Sequence, residues 1–206
     1  MSNSADYSRR DLLRRLGASV TVAAAGENWL SAQEAQHVHE AVAQDRAAQK
    51  GKYTPKALNS HEFSTLQRLT DLIIPADEHS QGALAAGAAD FIDFMCAASD
   101  DMKEIYTGGL AWIDDYVQRH NGKTFLAADP QQQNALLDLI AYRKHESPEL
   151  GAGIHFFTWV RRMTADAYYT SPIGMKDLGY MGNQAVAEFK VPQEAVDYAL
   201  KRSGLA

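Results

Sequence analysis

From Phe63 to Met163 the large apolar residues return every three or four positions, and the runs are cut by Pro75, Gly122, Pro130 and Pro148. That spacing is the period of a helix, not the strict alternation of a half-buried strand. No convincing alternating stretch and no repeat at a fixed period occurs elsewhere. The pattern predicts an all-α fold: a single compact helical domain of about five to six helices, with an N-terminal signal and tether and an ordered C-terminal loop.

Local chemistry sets the helix ends. Asn59 and Glu62 stand in capping-box spacing ahead of Phe63, Leu66, Leu69 and Ile73, and Pro75 forces a stop near Ile74. The turn PADEHSQGALAAG follows. A second, shorter helix is expected over Ala88 to Ala97, nearly apolar all round apart from Asp90 and Asp93 and therefore deeply buried. Ser99 and two aspartates suit the start of a third, whose stripe runs Met102, Ile105, Tyr106, Leu110, Ile113 and Val117 before Asn121-Gly122 closes it. Asp129-Pro130 opens a fourth, expected to continue to about Lys144, and a long fifth covers about Glu149 to Tyr169. The segment YTSPIGMKDLGYMGNQ, rich in glycine, reads as a tightly turned loop, and a short helix near Gln193 to Arg202 ends the chain.

The N-terminus has a different grammar. Arg9 and Arg10 follow Ser8, and Leu12 and Leu13 begin at the second position after the pair, which matches the twin-arginine export pattern. Leu16 to Gly26 is weakly apolar and too short for a bilayer core of about 30 Å, so it reads as a targeting segment and not an anchor. An amphipathic helix with a basic face is the alternative. Residues 1–30 are thus the signal segment, 31–58 a polar, Ala-rich tether in which a helix would need a partner surface, and 59–206 the helical domain. Small residues at Ala23 to Ala25 and at Ser31-Ala32 leave two places for cleavage.

Charge and chemistry narrow the function. Residues 1–26 carry four Arg against two Asp, and removing that +2 surplus from the formal −6 leaves −8. Such a body repels phosphate backbones, so nucleic acid is not an expected partner. Cys96 is the sole cysteine and sits in the apolar run FIDFMCAA, which excludes an internal disulfide, a C-x-x-C-H haem attachment or a Cys-held iron–sulfur centre. Asp77, Glu78 and His79 are adjacent and cannot converge on one ligand by themselves, so a solvated turn is expected. His37 and His39 lie about 200° apart on a helix and read as surface residues. His155 in an aromatic-rich helix reads as a packed side chain. There is no G-x-G-x-x-G behind a strand, no Walker loop, no G-x-S-x-G and no H-E-x-x-H, so no catalytic, cofactor or metal residue is assigned. Phe156, Phe157, Trp159, Tyr168, Tyr169 and Tyr180 exceed what one helix face can bury, which points to an interface as well as a core.

Three segments, LQRLTDLIIPADEHSQGALAAGAADFIDF, GKTFLAADPQQQNALLDLI and TSPIGMKDLGYMGN, together resemble the gluconate 2-dehydrogenase subunit 3 family over about residues 58–185. The resemblance implies a noncatalytic, all-α small subunit that binds no cofactor of its own. It further implies an FAD-containing dehydrogenase partner acting on a sugar, sugar acid, polyol or glycoside, often with haem c in a third, cytochrome c subunit. The Arg9-Arg10 leader would then export the folded, flavin-loaded partner to the periplasm through the twin-arginine machinery, in membrane-associated or soluble form. On the same resemblance Ile74, Pro75, Asp77, Pro172, Gly174, Gly179, Tyr180, Gly182 and Asn183, with Trp159 and Tyr169, are the candidate partner-contact positions. A helix stop and a glycine-requiring turn account equally well for the IIPAD and LGYMGN signatures. The alternatives are an independent periplasmic enzyme or an aromatic-lined binding module.

Overall fold

In a computed structural model, residues 31–180 and 191–203 are described, and among them there are nine α-helices, two 3-10 turns and no strand. The leader residues Arg9, Arg10, Leu12 and Leu13, and the signature residues Gly182 and Asn183, lie outside the described residues. The helices are α1 (Ala32–Ala48), α2 (Ser60–Ile73), α3 (Gly82–Ala86), α4 (Ala88–Ala98), α5 (Asp100–Asn121), α6 (Pro130–Ile140), α7 (Gly151–Tyr169), α8 (Pro172–Asp177) and α9 (Gln193–Ser203). No helix among the described residues is long and apolar enough to cross a membrane.

Most helix ends form where local chemistry places them. The side chain of Asn59 accepts from the backbone N–H of Glu62 while Glu62 accepts from that of Asn59, and Asp129 and Gln132 do the same ahead of α6 with Pro130 at its first position. Ser99 caps α5, and Gly122 ends it in the left-handed conformation. α6 stops at Ile140, short of Lys144, because Tyr142 turns extended and Arg143–His145 form a separate 3-10 turn.

The core is built around α4 and α7. Every side chain of α4 from Ala88 to Cys96 is buried, and α4 packs against α1, α2, α5 and α7. Cys96 is part of this core, where burial pushes its thiol far above the ordinary range and leaves it a small hydrophobe. α5 and α7 cross closely because each offers the other a glycine. The ring of Phe156 lies where a side chain on Gly109 would stand, and the ring of Trp112 lies where one on Gly153 would stand. Tyr106 then meets Phe156 edge to face at 5.7 Å.

The polar segment 31–58 is not a tether. Ser31 and Glu34 form a full capping box, and Ala35, Val38 and Val42 of α1 are buried. Its other anchors are polar. Arg46 donates to Asp90 at 2.7 Å, Lys56 pairs with Asp45, and the buried carboxylate of Asp93 accepts from Tyr53 Oη at 2.9 Å and from the backbone N–H groups of Lys56, Ala57 and Leu58 at 2.7, 3.2 and 2.9 Å. The apolar stripe of α1 is narrow and its small residues disguise it. Charge supplied by Asp90 and Asp93, 44 and 35 residues further on, helps to hold it and the connection that follows.

The histidines also part from expectation. His37 is exposed, but His39 is half-buried against the ring of Phe91, with its Nε2 2.9 Å from Thr170 Oγ1. His155, expected to be packed, is exposed on α7.

Candidate docking surface

The turn that follows IIPAD and the short helix ahead of LGYMGN, almost a hundred residues apart in sequence, meet in space. α2 ends at Ile73, and the carbonyl of Ile74 accepts from the N–H of Ala83 at 2.8 Å, folding α3 back onto the turn. Gly82 permits this closure with φ at 73°; a Cβ there would stand 2.5 Å from the backbone nitrogen of Ala76. Between them Asp77 Oδ1 accepts from the N–H groups of His79 and Ser80, both at 2.8 Å. These backbone bonds, Ser80 first and then His79, hold the Asp77 carboxyl below its ordinary range. Pro75 to His79 are exposed, as a solvated turn requires.

Up to Tyr180, where its described part ends, the second segment is not the irregular loop that its glycines suggest. Ser171 accepts from the N–H of Gly174 at 3.0 Å and Pro172 occupies the first position, so Pro172–Asp177 is a short helix. Gly174 is required for space, because a side chain would collide with the carbonyl of Tyr168. The helix ends in a Schellman motif: Gly179, at φ 63°, donates to Lys176 O at 3.0 Å and Tyr180 to Met175 O at 3.1 Å. Leu178-Gly179-Tyr180 therefore has a complete local explanation as a helix stop.

The phenol of Tyr168 joins the two. Its hydroxyl donates to Asp177 Oδ2 at 3.0 Å on α8 and is hydrogen-bonded to Ser80 Oγ from the IIPAD turn. Sequence reasoning missed Ser80 and Asp177, and no local signal marks them, since Ser80 lies 88 positions from its partner.

Near this part-buried joint several large apolar side chains are exposed. Five of the ten large hydrophobic residues exposed among the described residues lie on α3, the last turn of α7, and α8 with the turn that closes it: Leu84, Tyr169, Met175, Leu178 at 60% and Tyr180 at 59%. α3 packs on both α7 and α8. Single exposed hydrophobics are ordinary, but their concentration on adjoining elements makes this corner the candidate docking surface.

Of the candidate contact positions, Ile74, Pro75, Asp77, Tyr169, Pro172, Gly174, Gly179 and Tyr180 thus fall on this corner, with Gly174 buried and Ile74 half-buried. Trp159 does not: it is half-buried, ten positions and about 15 Å earlier along α7. Of the six aromatics singled out, Phe156, Phe157 and Tyr168 belong to the core.

Among the described residues no three His, Cys, Asp or Glu side chains gather in metal-binding geometry. An open cleft of about 420 Å³ between α2, α6 and α7, lined by Leu72, Leu137, Tyr142 and Phe157, has Asp138 and Arg161 as its charged side chains and no nucleophile beside a base.

No curated protein and no solved structure matches the chain. The family described as gluconate 2-dehydrogenase subunit 3 matches residues 60–187, from the first residue of α2 to beyond the exposed corner, and so takes in more than half of the sequence. The chain belongs to the gluconate 2-dehydrogenase subunit 3 family.

Proposed function

We propose that this chain is the noncatalytic escort and stabilising subunit of a periplasmic FAD-dependent sugar, sugar-acid or glycoside dehydrogenase, docked to its flavoprotein through the corner formed by α3, α7 and α8. The family is that of one subunit of a multi-subunit dehydrogenase, so partner subunits are implied. The observation that carries the reading is the exposed set Tyr169, Met175, Leu178 and Tyr180 on a corner whose backbone is fixed by Tyr168, Ser80 and Asp177. Aromatic and Met side chains held on a rigid base suit the core of a protein interface.

In this reading FAD belongs to the large subunit, haem c to a cytochrome subunit, and the Arg9-Arg10 leader carries the folded pair through the twin-arginine route. The four Arg of residues 1–26 contrast with a body at −8, which fits a leader read apart from the domain. Tagged protein purified from its native host should bring a stoichiometric flavoprotein, absorbing near ~450 nm. A colourless chain that purifies alone would overturn the docking role. Arg9→Lys with Arg10→Lys should leave both subunits in the cytoplasm; continued export of both would remove the escort role while leaving the docking role standing.

A further inference from the structure

We infer that α9 is a second docking arm for the same dehydrogenase subunit, an amphipathic helix that lies in an apolar groove of the partner; the inference rests on the docking role proposed above. α9 has no buried residue, and Val191, Tyr198 and Leu200 are exposed. Its sides differ sharply. At 100° per residue Val196, Ala199 and Leu200 form one stripe, and Glu194, Asp197 and Lys201 the opposite one, with Gln193 bonded to Asp197 at 2.8 Å. Arg202 lies along Tyr198 and donates to its hydroxyl at 2.8 Å, which straightens that aromatic against the helix.

A helix of 11 residues standing free is marginal in water, because nucleation is costly and few hydrogen bonds follow it. Its apolar stripe therefore calls for a cover. Size decides which. A cylinder about 16 Å long and about 10 Å across has a lateral surface of ~500 Å², of which roughly half can face one neighbour. A stable pair needs about 800 Å² from each partner. α9 alone is too small to hold a second copy of this chain, so its contact must add to a larger one.

The larger contact at hand is the corner. The chain leaves it at Tyr180, and residues 181–192 can reach no further than about 40 Å before α9 begins. The family match ends at residue 187, before α9, so the arm lies outside the matched body, where it suits discrimination among related partners. The groove that receives it has apolar walls about three helical turns long. Acidic groups at one end would meet Lys201 and Arg202, and basic groups at the other would meet Glu194 and Asp197.

The test compares the full chain with a variant ending at Lys190, each purified with the dehydrogenase subunit and titrated against it. Val196→Asp with Leu200→Asp serves as the full-length control. The truncated chain should bind about 100-fold more weakly and the double variant about 10-fold, because a second contact on one chain acts at millimolar effective concentration. Their Tm values without partner should equal that of the full chain. Unchanged affinity on truncation, while Leu178→Asp releases the dehydrogenase, would overturn the arm and leave the docking role intact. A lowered Tm would mean that α9 serves its own body, and a dimer of the full chain that truncation dissolves would mean that it serves a second copy; either overturns the inference. If the full chain retains no dehydrogenase subunit, the docking role itself fails and the arm with it.

Discussion

α4 and α9 are both eleven residues long, and they are opposites. α4 is enclosed on every side, with Phe91, Ile92, Met95 and Cys96 in the core, and even its aspartates Asp90 and Asp93 are buried. α9 buries nothing. Helical propensity does not separate them. The difference is apolar content: α4 carries Phe91, Ile92, Phe94 and Met95 on a helix packed against α1, α2, α5 and α7, whereas α9 has a single narrow stripe. A helix that is hydrophobic all round organises a fold, and one with a narrow stripe waits for a surface.

The contrast can be tested one side chain at a time. Phe91→Ala, in the centre of α4, should cost about 3–5 kcal/mol in urea unfolding, since the cavity it leaves is walled by packed helices. A loss below about 1 kcal/mol would mean that α4 is not the organising element. Asp93→Ala should cost about 3 kcal/mol, because four donors from Tyr53 and the backbone of Lys56 to Leu58 lose a buried acceptor. Proteolysis within 45–58 should rise with it. Protection that stays at the level of the parent protein would remove Asp93 from the attachment of α1.

A smaller effect comes from pH. Burial is the largest influence on His39 and lowers its pKa, with the Arg46 charge acting the same way and a bond at Ala167 opposing both. The unfolded chain therefore binds a proton at a higher pH than the folded one. Stability from this group is complete above about 6.5 and declines as pH falls through and below that value. Asp90 has the opposite sign, since desolvation outweighs Arg46 and raises its pKa, so protonation in the fold offsets part of the decline at lower pH. His39→Gln should flatten Tm between pH 7 and 5.5; an unaltered slope would place the dependence elsewhere. Smallest of all, Leu200→Ala on α9 should change the stability of the isolated chain by less than about 0.5 kcal/mol, as calorimetry would show. A shift as large as that of Phe91→Ala would erase the distinction between the two helices.

Much of this architecture was legible because it is local. The Asn59–Glu62 box, the Asp129-Pro130 start, the Ser99 cap, the Gly122 stop and the buried character of α4 each depend on residues within a few positions. What was hidden depends on distant partners. The small residues Ala35, Val38 and Val42 suggest little burial until Asp90 and Asp93 are placed beneath Arg46 and the 53–58 connection. Ser171-Pro172 is an ordinary helix start, masked by Gly174 and Gly179, and Gly174 is there because Tyr168 O comes too close for a side chain. At the corner the exposed aromatics could be suspected from their excess. The Tyr168 joint could not, because Ser80 and Asp177 become neighbours only through folding.

The glycine seats at the α5–α7 crossing reach beyond their own neighbourhood. Phe156 in the place above Gly109 and Trp112 in the place above Gly153 form two interlocks facing in opposite directions. Sliding either helix by one residue would drive both rings into Cβ atoms or backbone, so the pair has a single register. α7 then acts as a stem about 24 Å long from Gly153 to Tyr169, carrying the corner at a fixed height above the crossing. On the proposed docking role, an incoming subunit would meet a surface already held in place, and little ordering entropy would be lost there. If the proposed arm binds as inferred, that loss would fall instead on α9, so the corner would set whether the two proteins meet and the arm how long they stay.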